Sequence, residues 1–465
     1  MDKGYIIFGS LDLSDKKNPN LISVEKVVSM DKIAILVFVS FGLLFKAPMV
    51  FSEGLSLKVD KPIILHDRIA GQWGGHTFCY LLLGEKNIFW SATAYDENDK
   101  TPTALIGQYP LDGSSPKVST IRFTDKNVKG SNQPQMIRTS DGYIHVFIGV
   151  TYTTDNPSYN KGKLRYYRSK DPDDISTLID RTELIPTEPY NDFHLRMNVG
   201  VSPDSKRMVL VILAISEDGS VPFNTPVIFF GERQGLDFVF QKPTKYENAV
   251  GFFYPQVAVT DDGIVIVGEI WDDKEIHTTR IIHIDWNGKL VHREDLPANG
   301  NGSYFSYDLR PINPKDWSKL IIYYNRYPEG RKVCHHEFWE YNTKTKQLKL
   351  LKSLEVEDSL ANSGKWIPVS DKYSIFINNP SMGQYNIWEG DILGDGSVNR
   401  TPLPNTNPIE LGYQATAYTF VPNVLQGSVV SDEVYFASDC FNHDKKPDKS
   451  GPCSFLLWRL DLKPE

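Results

Sequence analysis

The sequence predicts an all-β fold, a seven-bladed β-propeller with four-stranded blades, and three observations predict it. Seven turn-then-strand units recur along the chain. Measured at residues 85, 141, 204, 261, 316, 371 and 432, their steps are 56, 63, 57, 55, 55 and 61 residues. Regular spacing of this kind marks one repeat architecture, not several unrelated domains. The composition is aromatic and turn-rich: 23 Tyr, 24 Phe and 9 Trp stand beside 33 Gly and 29 Pro. No long stretch keeps a 3.6-residue apolar period, which excludes a helical protein.

The first element in chain order is a leader over residues 1–52. Ile33 to Phe45 reads IAILVFVSFGLLF, an apolar run too short to span a bilayer comfortably. It follows Met30-Asp31-Lys32 and precedes Val50-Phe51-Ser52, the pattern of a secretory signal peptide whose natural start is Met30. An N-terminal membrane anchor is the alternative. Cleavage after about Ser52 leaves about 410 residues, with no second apolar run. The expected location is therefore secreted or periplasmic, with no stable membrane insertion after signal removal. Residues 53–465 are expected to form a single propeller, a monomer.

Within that propeller each unit opens on turn chemistry. Gly84-Glu85-Lys86-Asn87 precedes IFWSATAY, Ser140-Asp141-Gly142 precedes YIHVFIGV, and Ser202-Pro203-Asp204-Ser205 precedes KRMVLVILAI. Asp261-Asp262-Gly263, Pro314-Lys315-Asp316, Ser370-Asp371-Lys372 and Ser431-Asp432-Glu433 open the other four. Third strands follow, such as Leu164–Ser169, Val227–Gly231, Thr279–Ile284 and Tyr385–Glu389, and then weaker fourth strands such as Asp237–Phe240. The last unit ends after Phe455–Leu460 without room for a fourth strand. The segment Leu55–Leu65 is expected to supply it, closing the ring and covering a bare edge.

Four cysteines are present. Cys440 and Cys453 bracket a polar loop, and an oxidising compartment would permit a disulfide between them. Cys79 and Cys334 lie in apolar strand patterns and read as buried thiols. Cys334-His335-His336-Glu337 resembles a metal cluster on paper, but alternate residues of a strand face opposite ways, so ordinary packing is the simpler reading. No cofactor is required by any motif. A structural Ca or Zn ion is the remaining metal option, at that segment or at the Asp391–Gly396 turn. The net charge of −8 argues against nucleic acid as a partner.

All innermost strands of a propeller run the same way, so their first residues ring one mouth of the axial channel. In this sequence they are Trp73-Gly74-Gly75-His76, Asn132-Gln133-Pro134-Gln135, Asp192 to Asn198, Phe252 to Gln256, Tyr304 to Arg310, Lys365-Trp366 and Tyr413-Gln414. A wet channel needs polar residues in any case. As a set, however, Tyr, His, Arg, Lys and amides suit an acidic ligand, and the aromatics suit sugars, whose apolar faces stack on rings.

The elements Trp73-Gly74-Gly75-His76, Asn132-Gln133-Pro134, Asp141 to Phe147 and Leu164 to Ser169 resemble the BNR-type seven-bladed propellers of polysaccharide-degrading bacteria and fungi. That group includes ulvan lyases, rhamnosyl-glucuronate lyases and related rhamnosidases. The sialidase Asp-box is absent. Relatives carry histidines where this chain has Ser131 and about Val150, so a blade 2 histidine pair does not carry over, whereas the Gly-Gly-His element gives His76 a role by resemblance. The resemblance implies β-elimination on an acidic polysaccharide or oligosaccharide. A lyase must neutralise the uronate carboxylate, remove the C5 proton and protonate the leaving oxygen. Arg196 and Arg310 are the expected neutralisers, His76 or His194 the base and Tyr254 or Tyr307 the acid. Trp73, Gln133, Asn198, Gln256, Lys365, Trp366, Tyr413 and Gln414 are the expected substrate contacts. A glycoside hydrolase, with Asp192 and Asp308 as its carboxyl groups, and a non-catalytic glycan-binding propeller are the rival readings.

Overall fold

The computed structural model describes residues 55–70, 80–96, 98–131, 134–152, 161–186, 193–214, 225–246, 252–271, 277–297, 307–328, 333–356, 364–370, 373–378, 383–390, 399–442 and 453–464. It also describes an antiparallel pair, Tyr5–Ile7 with Val27–Ser29, in a separate N-terminal unit spanning Met1–Leu55. The apolar run 33–45 lies outside the described residues. Among the described residues no helix is long and apolar enough to cross a membrane.

Seven antiparallel sheets follow one another in chain order. The inner strands of blades 1 to 7 are Leu81–Leu83, Gln135–Arg138, Phe193–Val201, Phe252–Thr260, Tyr307–Asn313, Lys365–Ser370 and Tyr413–Phe420. Each pairs with a second strand reached through one of the turns read from the sequence, and the meander continues outward. The all-β propeller is thus the fold. Ring closure uses two N-terminal strands instead of one. Leu55–Val59 and Ile63–Ile69 both pair with the long last strand, Cys453–Pro464.

Among the described residues, apolar clusters hold the ring between every pair of neighbouring blades. Every second strand feeds two of them, because alternate side chains point to opposite faces. In blade 3, Met208, Leu210 and Ile212 enter the cluster shared with blade 2, while Val209, Val211 and Leu213 enter the one shared with blade 4. Burial on both faces explains why MVLVILA is a continuous apolar run instead of an alternating one.

The same alternation overturns the expected disulfide. Cys440 and Cys453 are both free and buried. Cys440 stands opposite Ser454 and packs with Trp458 between blades 6 and 7, whereas Cys453 stands opposite Phe441 and packs with Phe455 between blades 7 and 1. The two thiols lie on opposite faces of one sheet, and a disulfide cannot pass through a strand. Cys334 is likewise a buried thiol; Cys79 lies outside the described residues.

The Cys334–Glu337 segment is strand packing. His336 bonds the Tyr323 hydroxyl at 2.7 Å and stacks on its ring, and Glu337 accepts bonds from Arg326, Tyr324 and Trp339. Among the described residues no group of three His, Cys, Asp or Glu side chains is placed to hold a metal ion. The Asp391–Gly396 turn lies outside them.

Candidate functional site

One end of the axial channel is closed by the chain itself. After the inner strand of blade 7, residues 421–429 cross the axis, turning once in a short 3₁₀ segment, Val424–Gln426. Asn423 donates through Nδ2 to the Leu309 carbonyl of blade 5 at 2.9 Å, and Gln426 through Nε2 to the Val199 carbonyl of blade 3 at 3.2 Å. Val429 N–H donates to the Leu83 carbonyl of blade 1 at 2.8 Å. Inner strands are sheet edges with unpaired main-chain groups, and this plug satisfies several of them. Gly427 is required there. Its φ is +85°, and a Cβ would lie 1.7 Å from the Arg138 carbonyl oxygen.

The other end is the mouth, where the inner strands begin. Among the described residues, three inner strands are bulged there, between His194 and Met197, between Phe253 and Gln256, and around Ala415 to Thr419. Bulges re-aim side chains and occur at functional rims. The blade 4 bulge holds Tyr254 at φ +46°, directly before Pro255. An aromatic residue in the left-handed region stores on the order of 1–3 kcal/mol of strain, a cost a sheet ladder alone would not impose.

Below the rim runs a belt of buried polar side chains at matching positions: Gln135, Asn198, Gln256, Asp308 and Lys365. They stand opposite Phe147, Val211, Val267, Tyr323 and Ile377 of their second strands. Asn198 Oδ1 accepts from Val257 N–H of the next blade at 3.2 Å, and Gln256 Oε1 from Leu309 N–H at 2.7 Å. These two amides, expected to touch substrate, use their carbonyl oxygens to clasp blade to blade.

Asp308 binds two buried cations. Its Oδ2 accepts from Arg310 Nε at 2.6 Å, and its Oδ1 lies 3.4 Å from Lys365 Nζ. Burial lowers the Lys365 ammonium below its ordinary value, with Asp308 opposing the shift. Arg310 also donates to the carbonyls of Pro422 and Val421, at 2.8 and 3.4 Å. It therefore anchors the plug and faces away from the mouth, contrary to the role of carboxylate neutraliser expected from the sequence.

Trp366 is likewise not a mouth residue. It is fully buried against Tyr323, Phe338 and Phe376 between blades 5 and 6. Tyr413 is half-buried against the cluster between blades 6 and 7, and Gln414 is exposed in the adjoining bulge. His194, Arg196 and Tyr307 fall on the mouth-end backbone of blades 3 and 5, and their side chains lie outside the description. Trp73, His76, Gln133 and Asp192 lie outside the described residues altogether.

The sequence reading missed buried acids near the mouth ends of second strands: Glu269 in blade 4, opposite Phe253, and Asp439 in blade 7, which accepts from Tyr418 N–H at 3.2 Å. Each is a carboxylate interrupting an apolar run, in IVIVGEIW and VYFASDCF. That interruption was the available signal.

No protein-family model matches the chain, and no curated protein matches its sequence. Solved structures share its general shape at low identity. A protein of unknown function from Dyadobacter fermentans is 10% identical with a TM-score of 0.47, covering 88% of this chain and 99% of its own. Trypanosoma rangeli sialidase is 11% identical with a TM-score of 0.44, covering 87% of this chain, which spans 59% of the sialidase. An α-L-arabinofuranosidase from Podospora anserina is 10% identical with a TM-score of 0.38, covering 72% and 92%. Similarity at this level carries no statement about activity.

Proposed function

We propose that the protein is a carbohydrate-active enzyme working at the open mouth, and that it is a lyase cleaving a uronic-acid-containing polysaccharide by β-elimination. The observation that carries this reading is the strained bulge at Tyr254, set at the rim of a belt of buried polar side chains in which Lys365 is held by Asp308. Backbone strain concentrates at functional sites, and a channel blocked at its far end makes a cul-de-sac suited to holding a chain segment.

In the proposed reaction a base takes the C5 proton of the uronate. The electron pair forms the C4–C5 double bond as the C4–O bond breaks, and an acid protonates the departing oxygen. Tyr254 is assigned the acid role, His194 or His76 the base, and Arg196 the uronate carboxylate, with Lys365 supplying positive charge from the floor. The same reading takes the N-terminal 52 residues as a signal segment and the enzyme as a secreted or periplasmic monomer.

Hydrolysis is the second reading, and Glu269 and Asp439 favour it. They add buried carboxyl groups near the mouth, and glycosidases commonly use a carboxyl pair. The products distinguish the two. The purified chain is incubated with ulvan, gum arabic and pectic polysaccharides, and products are followed by ultraviolet absorbance and mass. A lyase yields an unsaturated uronate that absorbs; a hydrolase yields products heavier by water without the absorbing double bond. Tyr254→Phe should keep the fold and lower kcat by about 10²–10⁴-fold. Unchanged turnover in that variant would remove Tyr254 from the scheme.

A further inference from the structure

The strand directions place a second cleft on the face opposite the mouth. Arg207 begins the second strand of blade 3 just after its plug-end turn, and Trp286 and Asn287 lie in the corresponding turn between the third and fourth strands of blade 4. Between them opens a surface cleft, also lined by Glu232, Gln241 and Thr244.

The charges in this cleft differ from a paired set in the neighbouring blade. Arg207 and Glu232 are direct cross-strand partners, the arrangement in which opposite charges normally pair. Arg280 and Asp295, cross-strand partners in blade 4, do so through two bonds of 2.5 and 2.7 Å. Among the described residues no ion pair links Arg207 to Glu232. Instead the Arg207 guanidinium lies over the Trp286 ring, 4.2 Å from its centroid. The indole is itself fixed, donating through Nε1 to the Asp261 carbonyl at 2.9 Å. Stacking holds a guanidinium flat while leaving its N–H edge open for a planar acid. Glu232, Gln241, Thr244 and Asn287 are exposed around it, offering acceptors and donors matched to hydroxyl groups.

We propose that this cleft is a second saccharide-binding site. A sugar acid would place its carboxylate on the edge of Arg207 in bidentate fashion and its hydroxyls against Glu232, Gln241 and Asn287. Such a site would hold an acidic polysaccharide at a distance from the mouth. It shares with the proposed function the premise that the protein meets acidic glycans, and the test separates the two, since retention reports the cleft and product formation reports the mouth.

The test is affinity electrophoresis of the full chain through gels cast with ulvan, polygalacturonate or gum arabic. Wild type should be retarded in at least one gel. Arg207→Ala and Gln241→Ala should each weaken that retardation fivefold or more, with unchanged thermal melting and unchanged turnover of short oligosaccharides. Neither side chain makes a hydrogen bond within the described residues that folding depends on, so both variants should fold. Absence of retardation in every gel overturns the proposal, and so does equal retardation of wild type and Arg207→Ala, whether or not the mouth turns out to be catalytic.

Discussion

At the plugged end of the channel, the Val199 and Leu309 carbonyls are met by the side chains of Gln426 and Asn423. At the mouth end, by contrast, inner strands are bulged and Tyr254 is held at positive φ. One end spends its polar groups on closing the ring; the other keeps a distorted rim. Stability and site are therefore segregated along one axis, and Asp308 stands between them, touching Lys365 on the mouth side and, through Arg310, the plug.

The largest expected effect lies at that junction. Asp308→Ala strands two buried cations and should cost about 3–5 kcal/mol, measured by urea unfolding. Adding Lys365→Met should recover part of the loss. A cost below about 1 kcal/mol would place Asp308 outside the frame. The pH dependence has a defined sign. Burial lowers the Lys365 ammonium below 10.5, so the unfolded chain binds more protons below that value and stability rises with pH towards it. Without Asp308 opposing the shift, the rise should steepen.

Next is Gly427→Ala. The added Cβ meets the Arg138 carbonyl at a φ that L residues rarely adopt, so the plug must shift, at a cost of at least about 2 kcal/mol. If mouth and plug are separate, turnover per folded molecule should hold while stability falls. Parallel loss of both would merge the two ends into one unit.

Acid should treat both ends alike. His145 bonds Tyr166 near the plug end, and His336 bonds Tyr323 near the mouth end. Burial pushes each imidazole down to about 3. The unfolded chain therefore binds more protons between about 3 and 6.5. Each histidine should reduce stability by up to about 1.4 kcal/mol per pH unit as pH falls through that window. His145→Gln and His336→Gln should each flatten the acid limb of a stability–pH profile; an unchanged limb would show that neither ring stays neutral.

The repeat spacing, the turn residues and the doubly apolar second strands were legible because they are local. A hairpin needs its turn within a few residues, and a strand buried on both faces must be apolar throughout. From these the blade number and the closing N-terminal segment followed. The mouth was legible only as a list of strand beginnings. Which members face the axis depends on register and on what crosses the channel. Trp366 turned into the core because it alternates along its strand with Lys365, and Arg310 turned to the plug because segment 421–429 arrives from more than a hundred residues away. Cys440 and Cys453 looked like partners in sequence and stand on opposite faces of one sheet. The sequence by itself determined which residues are strands and how many blades they make, since both follow from short-range chemistry. Only the tertiary structure decided which polar side chains clasp blades, which anchor the plug and which surround the mouth, since those roles depend on neighbours brought together by closing the ring.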